Sequence, residues 1–405
     1  MLIQNTNFII FCTLSLCLIW MWSLIFKNKG SKLLLFYNLF FTLSFYTPAL
    51  YYFLGFSVYS HAFTAQALDI FCTIGIIFSL VTIIWMKTRL NSNRYWFFNF
   101  FTHLKSKALF KSFNIRIYFV LGTCLMLFYL IFFFNKLTVV NIFSAEEGEL
   151  VERLDTSGSI PFYITFSSLF IILFPTIFFF FYTKEKNRFY KLIFFILTVF
   201  AIGSGGNRGI LTYFFIFFIF FFSKKIFNFW KIGLGSFVLI TYYLFSKGVD
   251  FSDTDNLGLA IESPFRRFFV TQPVGFIARI QMHLDNSFDV NSTYSIKQQV
   301  FSKIYQAPLG TGSHPSHFVS SILVEYGYLP MFLSFLIFNI FLLELIKTCD
   351  NILNDRIYGF VTWNIFIFMF LTFNSDLSVA NILRFSFIFL NLIILYFFTR
   401  NEQRI

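Results

Sequence analysis

Apolar stretches that are each close to the length of a membrane-spanning helix constrain the fold of this 405-residue chain more than any other feature. Backbone polar groups surrounded by lipid need hydrogen-bond partners within their own segment, so such stretches must be helices. The sequence predicts an all-α, polytopic membrane protein with about eleven transmembrane helices, forming a single transmembrane domain over residues 1–405. The predicted spans cover residues 8–26, 33–54, 64–86, 117–134, 160–182, 190–204, 209–222, 232–246, 317–346, 357–373 and 382–398.

The composition excludes a water-soluble protein. The chain is 57% hydrophobic and 12% charged, whereas soluble domains have about 25% charged residues. Its 69 Phe and 20 Tyr would expose large apolar patches to water, and a lipid bilayer is the partner that removes this problem. The net charge of +12 could indicate nucleic acid, but most of the basic residues lie in short loops between apolar stretches. We therefore expect no nucleic-acid partner.

The distribution of Lys and Arg predicts the orientation in the membrane. Of the 31 basic residues, 21 fall in alternate loops, near residues 27–32, 87–116, 184–191, 224–231 and 347–356, and at the C-terminal end. Basic loops stay in the cytoplasm, so the N-terminus is predicted outside and the C-terminus in the cytoplasm. This orientation makes residues 247–316 a large extracytoplasmic loop, with short amphipathic helices. The five Cys form no CxxC motif or Cys/His cluster, and we expect neither a metal site nor a cofactor.

A glycine-rich segment interrupts the apolar stretches near residue 205. Residues 203–209 read Gly-Ser-Gly-Gly-Asn-Arg-Gly, and Arg208 is the one charged residue among them. Glycine lets backbone N–H groups approach an anion, and arginine binds phosphate through two parallel hydrogen bonds. The segment is thus a candidate phosphate site. The alternative is a tight turn between helices whose arginine extends towards the membrane surface.

The long outer loop contains three further arginines: Arg266 and Arg267 just after a predicted helix start at residues 263–264, and Arg279 beyond a break at Pro273. They are candidates for binding a phosphate group, or for contacting lipid headgroups in an interfacial anchor. Later in the loop an apolar stripe at helical spacing predicts a helix lying on the membrane surface. The stripe consists of Ile296, Val300, Phe301, Ile304 and Tyr305.

Polar residues cluster where the loop enters the next apolar stretch. His314 and His317 follow Gly310 and Gly312, and Glu325 is expected to be buried within the helix that follows. A helix N-terminus favours anions, and histidine can move a proton near neutral pH. The three side chains are therefore candidates for proton transfer, or else ordinary polar residues at a surface. Near the last outer turn, Asp376 is predicted to pair with an outer arginine in a structural role.

The order of these features resembles the Wzy-type O-antigen and capsule repeat-unit polymerases and, more distantly, the O-antigen ligases. The resemblance rests on residues 203–209, on the loop with Arg266 and Arg267, and on residues 314–327. It implies an inverting, metal-independent glycosyltransferase in the bacterial cytoplasmic (inner) membrane, acting at the outer face. Such enzymes move a glycan from undecaprenyl diphosphate onto a lipid-linked repeat unit, and a chain-length regulator is a further candidate partner.

The resemblance also implies roles for the candidate residues. Arg208, Arg266, Arg267 and Arg279 would hold the diphosphate leaving group, while His314, His317 or Glu325 would take the proton of the acceptor hydroxyl.

Several alternatives remain open at this stage. O-antigen ligases often have a histidine nine residues before the glutamate of a His-Asn…Glu-x-Gly pattern, and here that position is Ser316, which favours a polymerase. A polysaccharide transporter or flippase fits the short apolar stretches around residues 190–222, but the other half of the chain has no matching interrupted pair. A lipid-sugar glycosyltransferase and a cell-wall glycan polymerase of the SEDS type are further candidates.

Overall fold

A computed structural model describes residues 8–27, 31–56, 59–90, 161–182, 186–204, 208–222, 272–310, 314, 316–349, 355–376 and 378–400, and short pieces between residues 120 and 133. Every regular element in these ranges is a helix, and they contain no β-strand. The all-α prediction is therefore confirmed for the described residues.

Twelve helices of seven or more residues account for most of these ranges. They are α1 (Phe8–Lys27), α2 (Lys32–Phe53), α3 (Ala65–Arg89), α4 (Tyr163–Tyr182), α5 (Arg188–Ser204), α6 (Arg208–Phe222), α7 (Gln272–Leu284), α8 (Ile296–Tyr305), α9 (Phe318–Tyr326), α10 (Tyr328–Cys349), α11 (Asp355–Asn374) and α12 (Val379–Arg400). Over the described residues, five helices are long and apolar enough to cross a membrane: α1, α2, α3, Tyr163–Phe180 of α4, and α10. The chain thus has the helices of a membrane protein.

One predicted span is wrong. Residues 317–346 were expected to form a single helix, but the structure has two, α9 and α10, which meet at Gly327. The backbone of Gly327 has φ +84°, a left-handed conformation that glycine adopts without steric cost and that ends a helix. The predicted spans 190–204 and 209–222 correspond to α5 and α6, while 232–246 lies outside the described residues.

The chain divides into two compact units. Unit 1 comprises Met1–Trp96, Glu262–Lys347 and Phe368–Asn381, and unit 2 comprises Phe97–Ile261, Thr348–Ile367 and Ile382–Ile405. Both combine segments that are distant in sequence, so α11 and α12 contribute residues to each. The prediction of one transmembrane domain over residues 1–405 stays a prediction.

Helix α2 of unit 1 contains a π-helical turn over Thr42–Tyr46. The amide of Thr47 donates to the carbonyl of Thr42, five residues back, and Pro48 follows directly. Proline lacks the amide proton and clashes with the carbonyl four residues before it, so the wider turn lets the helix continue through Pro48. Phe45 in this turn is fully buried, with its ring centroid 5.7 Å from that of Phe71 and 5.6 Å from that of Phe78.

Polar groups inside unit 1 are paired with one another. The hydroxyl of Tyr37 donates to Oδ1 of Asn339 at 2.5 Å, and Nδ2 of Asn339 donates to Oγ1 of Thr82 at 3.1 Å. All three residues lie on long apolar helices, where an unpaired polar group would cost several kcal/mol. These hydrogen bonds therefore fix the register of α2, α3 and α10.

Unit 2 has a core of aromatic rings. Helices α4 and α6 contribute Phe179 and Phe217, whose centroids are 4.9 Å apart, and the ring of Phe217 is 5.4 Å from that of Trp363 on α11. Gly359 on α11 lies so close to α4 that a Cβ atom there would be 2.9 Å from the carbonyl oxygen of Phe179. A glycine is therefore required for these two helices to approach.

The apolar stripe of α8 packs against protein. Its spacing predicted a helix correctly, and Ser295 and Gln298 form a capping box at its start. However, Val300 and Ile304 are fully buried against neighbouring residues of unit 1, including those of α7. The buried part of the stripe is therefore covered by protein, and the location of α8 on the membrane surface stays a prediction.

Candidate functional site

Helix α7 of unit 1 carries Arg279 into the protein interior, where the side chain has 0% exposure. Its Nη1 lies 2.5 Å from Oδ1 of Asp376 and 2.6 Å from the hydroxyl of Ser320, and Nη2 donates to the backbone carbonyl of His314 at 3.3 Å. A buried guanidinium needs such partners because removing a charge from water costs several kcal/mol. The predicted pairing of Asp376 with an arginine is confirmed, and the arginine is Arg279.

Asp376 joins several segments at one point. Its Oδ1 also accepts from the backbone amide of Ser316 at 3.3 Å and from the hydroxyl of Ser321 at 3.2 Å. Its backbone carbonyl accepts from Nδ2 of Asn381 at 2.6 Å. One carboxylate oxygen is thus held by an arginine, a backbone amide and a hydroxyl, which fixes the orientation of the whole group.

His317 caps helix α9 rather than facing an open space. Its Nδ1 accepts from the backbone amide of Val319 at 3.3 Å, which places the proton of the neutral ring on Nε2. The ring centroid lies between 5.2 and 6.3 Å from five phenylalanine rings of unit 1: Phe45, Phe276, Phe318, Phe335 and Phe373. This geometry disfavours His317 as the base for an acceptor hydroxyl, because the unprotonated nitrogen is used by the cap.

Burial also keeps His317 neutral. Loss of water around the ring, and then the positive charge of Arg279, lower the pKa of His317 to about 3. The residue lies outside the five candidate spans. It is therefore uncharged at physiological pH, and an anion gains no charge interaction from it.

His314 is buried between α7 and α8. Its backbone amide donates to the carbonyl of Lys297 at 2.9 Å, and its ring centroid is 6.0 Å from that of Tyr305. A Cβ atom added to Gly275 would be 2.5 Å from Nδ1 of the histidine, so the glycine makes room for the ring. The structure thus brings His314 close to Arg279, and its proposed role in proton transfer stays a prediction.

Glu325 is exposed on the last turn of α9. The expectation that it is buried within a long apolar helix is wrong, because α9 ends one residue later, at Tyr326. Glu325 and Ser321 lie four residues apart and so on one face of α9. That face borders a cleft.

The cleft has a volume of roughly 370 Å³, within the usual range for small-molecule sites of about 300–1,000 Å³. The connection between α7 and α8, the start of α8, the face of α9 and the turn before α12 enclose it. Its polar lining consists of serine and threonine hydroxyls, three carboxylates, one tyrosine and one lysine: Ser292, Thr293, Ser295, Ser321, Ser378, Asp289, Glu325, Asp376, Tyr294 and Lys297. Such a lining suits a ligand with many hydroxyl groups, which both donate and accept hydrogen bonds.

Three of the predicted diphosphate ligands cannot be placed against this cleft. Arg266 and Arg267 lie outside the described residues, and Arg208 is described only as the first residue of α6. Arg279 contacts Asp376, which lines the cleft, but the guanidinium group of Arg279 faces other groups of the protein. Within the described part of the chain, no group of three or more His, Cys, Asp and Glu side chains could hold a metal ion.

Sequence reasoning missed several residues of the site. Ser320 follows His317 at helical spacing, and that spacing could have predicted that it lies beside the histidine. Nothing in the sequence indicated that the segment around Ser292 would reach Glu325 and Asp376, because this contact depends on how α8 folds back. Gly275 also has no local signal, since its importance comes from the ring of His314.

Comparisons with known proteins find no relative of this chain. No protein-family model matches the chain, and neither a curated protein nor a solved structure is significantly similar to it.

Proposed function

We propose that this chain is a glycan polymerase of the Wzy type, which transfers a polyprenyl-diphosphate-linked oligosaccharide onto a lipid-linked repeat unit. In this proposal the protein spans the bacterial cytoplasmic membrane about eleven times, with its N-terminus outside and residues 247–316 at the outer face. It acts in O-antigen or capsule synthesis, as an inverting glycosyltransferase that uses no metal ion. The substrates are undecaprenyl-diphosphate-linked glycans, and a chain-length regulator is a further partner.

One observation carries the proposal. A cleft lined by hydroxyls and carboxylates is formed by residues 288–297, by Ser321 and Glu325, and by Asp376 and Ser378. The distribution of basic residues along the sequence predicts that all of these segments lie on the outer side of the membrane. A cleft with this many hydroxyl and carboxylate groups, in a chain whose other described elements are mainly apolar helices, supports a polyhydroxylated substrate that reaches the protein at the membrane surface.

The residues have the following roles in the proposed reaction. Arg208, Arg266 and Arg267 bind the diphosphate and stabilise the negative charge that develops as the glycosidic bond breaks. Arg279 holds Asp376 and orders the wall of the cleft. Glu325 borders the space in which the acceptor sugar lies, His314 is buried between α7 and α8 next to Arg279, and His317 stabilises the start of α9.

The decisive experiment expresses the protein with its glycan export pathway and examines the lipid-linked products on a gel. Replacing Arg208 or Arg267 by alanine is expected to abolish the ladder of polymers while single repeat units remain. A ladder that survives removal of Arg208, Arg266 and Arg267 together contradicts the proposal. Arg279 is left intact here, because its loss would disturb the cleft itself.

A topology experiment tests the same proposal independently. Reporter fusions within residues 247–316 are expected to report an outer location, and fusions in the basic loop at residues 87–116 a cytoplasmic one. If the large loop reports from the cytoplasm, a glycan acceptor at the outer face is ruled out.

A further inference from the structure

Asp376 differs from the other carboxylates of the cleft because it is buried while only one of its oxygens accepts hydrogen bonds from the protein. Oδ1 accepts from Arg279, from the amide of Ser316 and from the hydroxyl of Ser321. Oδ2 is buried and has no hydrogen-bond partner among the described residues. The residue is only 7% exposed and lines the cleft.

A buried carboxylate oxygen without a partner is costly in a folded protein, and such groups mark functional sites more often than ordinary surface positions. The cost persists here because the three donors on Oδ1 hold the carboxylate in place. Ser321 and Glu325 also line the cleft, along one face of α9, and add a hydroxyl and a carboxylate that can hydrogen-bond a hydroxylated ligand.

We propose that Asp376 accepts the hydrogen bond of the attacking hydroxyl of the acceptor sugar and takes its proton during glycosyl transfer. This inference rests on the proposed polymerase function and assigns the base, a role that sequence reasoning gave to His314, His317 or Glu325. The acceptor oxygen forms a bond to the anomeric carbon of the donor. The bond from that carbon to the diphosphate oxygen breaks, and its electron pair leaves with the polyprenyl diphosphate. The proton of the hydroxyl moves to Oδ2 of Asp376 and from there to water in the cleft.

Arg279 is a positioning residue in this mechanism. Its hydrogen bonds to Asp376 and Ser320, and the bond to the carbonyl of His314, fix the carboxylate relative to α9. Glu325 is exposed and lies on the final turn of α9, where the side chain is less constrained. A base must lie within hydrogen-bond reach of its proton and keep that geometry, so the held carboxylate suits the task better.

The test uses the purified full-length protein with polyprenyl-diphosphate-linked repeat units isolated from cells that lack it. Asp376→Asn keeps the shape of the side chain and an acceptor for Arg279. We expect kcat to fall about 100-fold or more, the usual contribution of a general base, with KM for the acceptor within about threefold of the wild-type value. The matched control is Glu344→Gln, a carboxylate beside a buried arginine elsewhere in unit 1, which should keep kcat within about twofold.

A second variant separates chemistry from folding. Arg279→Met combined with Asp376→Leu replaces the buried pair by apolar groups, and such exchanges often restore stability. The double variant is expected to melt cooperatively in detergent and to remain inactive. Activity in this folded double variant, or in Asp376→Asn within threefold of wild type, overturns the inference while leaving the polymerase proposal intact. A wild-type protein that makes no polymer from the lipid-linked units overturns both.

Discussion

Unit 1 contains two buried arginine–carboxylate pairs with the same chemistry and different surroundings. In one, Arg89 and Glu344 meet at 2.9 Å near the C-terminal end of α3, with 14% and 1% of their side chains exposed. The indole of Trp85 donates to the same oxygen of Glu344 at 3.1 Å. In the other, Arg279 and Asp376 are 0% and 8% exposed, and Asp376 lines a cleft. The same kind of ion pair therefore connects helices in one place and lines a cleft in another.

The two pairs also differ in how their arginines are linked to the chain. Nζ of Lys347 donates to the backbone carbonyl of Arg89 at 2.5 Å, so that pair fastens the end of α3 to α10. Arg279 instead holds the hydroxyl of Ser320 and the carbonyl of His314, beside Ser321 and Asp376, which line the cleft. The first arrangement stabilises helix packing, and the second also determines the shape of a site.

Breaking either pair should give the largest effect on stability. Asp376→Leu leaves the charge of Arg279 fully buried without its carboxylate partner. Glu344→Leu also leaves an arginine without its partner, but Arg89 is partly exposed to solvent. We expect each to lower the free energy of unfolding by about 3–5 kcal/mol, with the greater loss for Asp376→Leu. Unfolding of the purified variants in detergent measures both. A smaller loss for Asp376→Leu than for Glu344→Leu would contradict the comparison.

A substitution on α7 tests how tightly the residues around His314 and Arg279 are packed. Gly275→Ala places a Cβ atom about 2.5 Å from Nδ1 of His314, so the ring must shift; we expect a loss of about 1–3 kcal/mol. The matched control is Gly75→Ala on α3, whose new Cβ atom lies 3.2 Å from the end of the Leu14 side chain, which can move. Melting temperatures of the two variants provide the measurement, and equal shifts would refute the difference in packing.

The dependence of stability on pH should follow from His317. Its folded pKa of about 3 lies below the unfolded value of about 6.5, so the unfolded state binds more protons between these values. Stability is therefore full above pH 6.5 and falls as the pH drops towards 3. We expect the wild type to lose about 1–2 kcal/mol more than His317→Asn between pH 7 and pH 5. If the free energy of unfolding changes equally with pH in both proteins, His317 is not the cause of the pH dependence.

Replacing the Arg89 pair should separate its role from that of the Arg279 pair. Arg89→Met combined with Glu344→Leu removes both charges, and we expect stability within about 1 kcal/mol of wild type. Because neither residue borders the cleft, the polymer ladder in cells should persist. Loss of the ladder from a double variant that melts like wild type would mean that both pairs serve activity.

The smallest change in stability is expected for Glu325→Gln. The side chain is exposed, and surface substitutions usually alter stability by less than about 0.5 kcal/mol. A clearly larger loss would show that Glu325 makes a stabilising contact comparable to those of Asp376. Detergent unfolding alongside Asp376→Leu gives the direct comparison.

Local patterns in the sequence predicted local structure well. The spacing of Val300 and Ile304 indicated a helix, and the structure has α8 there. Apolar length predicted α1 and α3 nearly to their ends, because lipid leaves the backbone no alternative to a helix. The pairing of Asp376 with an arginine was also predicted, since a carboxylate in an apolar environment requires a cation.

The same patterns could not predict which surface covers each residue. The stripe of α8 is equally compatible with lipid and with α7, and only the fold decides between them. The break at Gly327 depends on a left-handed backbone conformation that apolar periodicity does not reveal. His317 was expected to exchange protons, but its neighbours in unit 1 are phenylalanine rings contributed by distant segments.

The π-helical turn in α2 has a consequence for how this span tolerates change. It holds one residue more than regular α-helical geometry requires, so the parts before and after it are out of phase by about 100° around the helix axis. Tyr37 before the turn and Tyr52 after it both face protein. When each residue of the span is substituted in turn, the positions at which stability is lost should recur at helical spacing both before and after the turn. The set after the turn should be shifted by one residue relative to the set before it. Deleting one residue from the turn would remove the extra residue and leave Tyr52 on the same face, whereas a deletion elsewhere in the span would rotate every residue beyond it by about 100°.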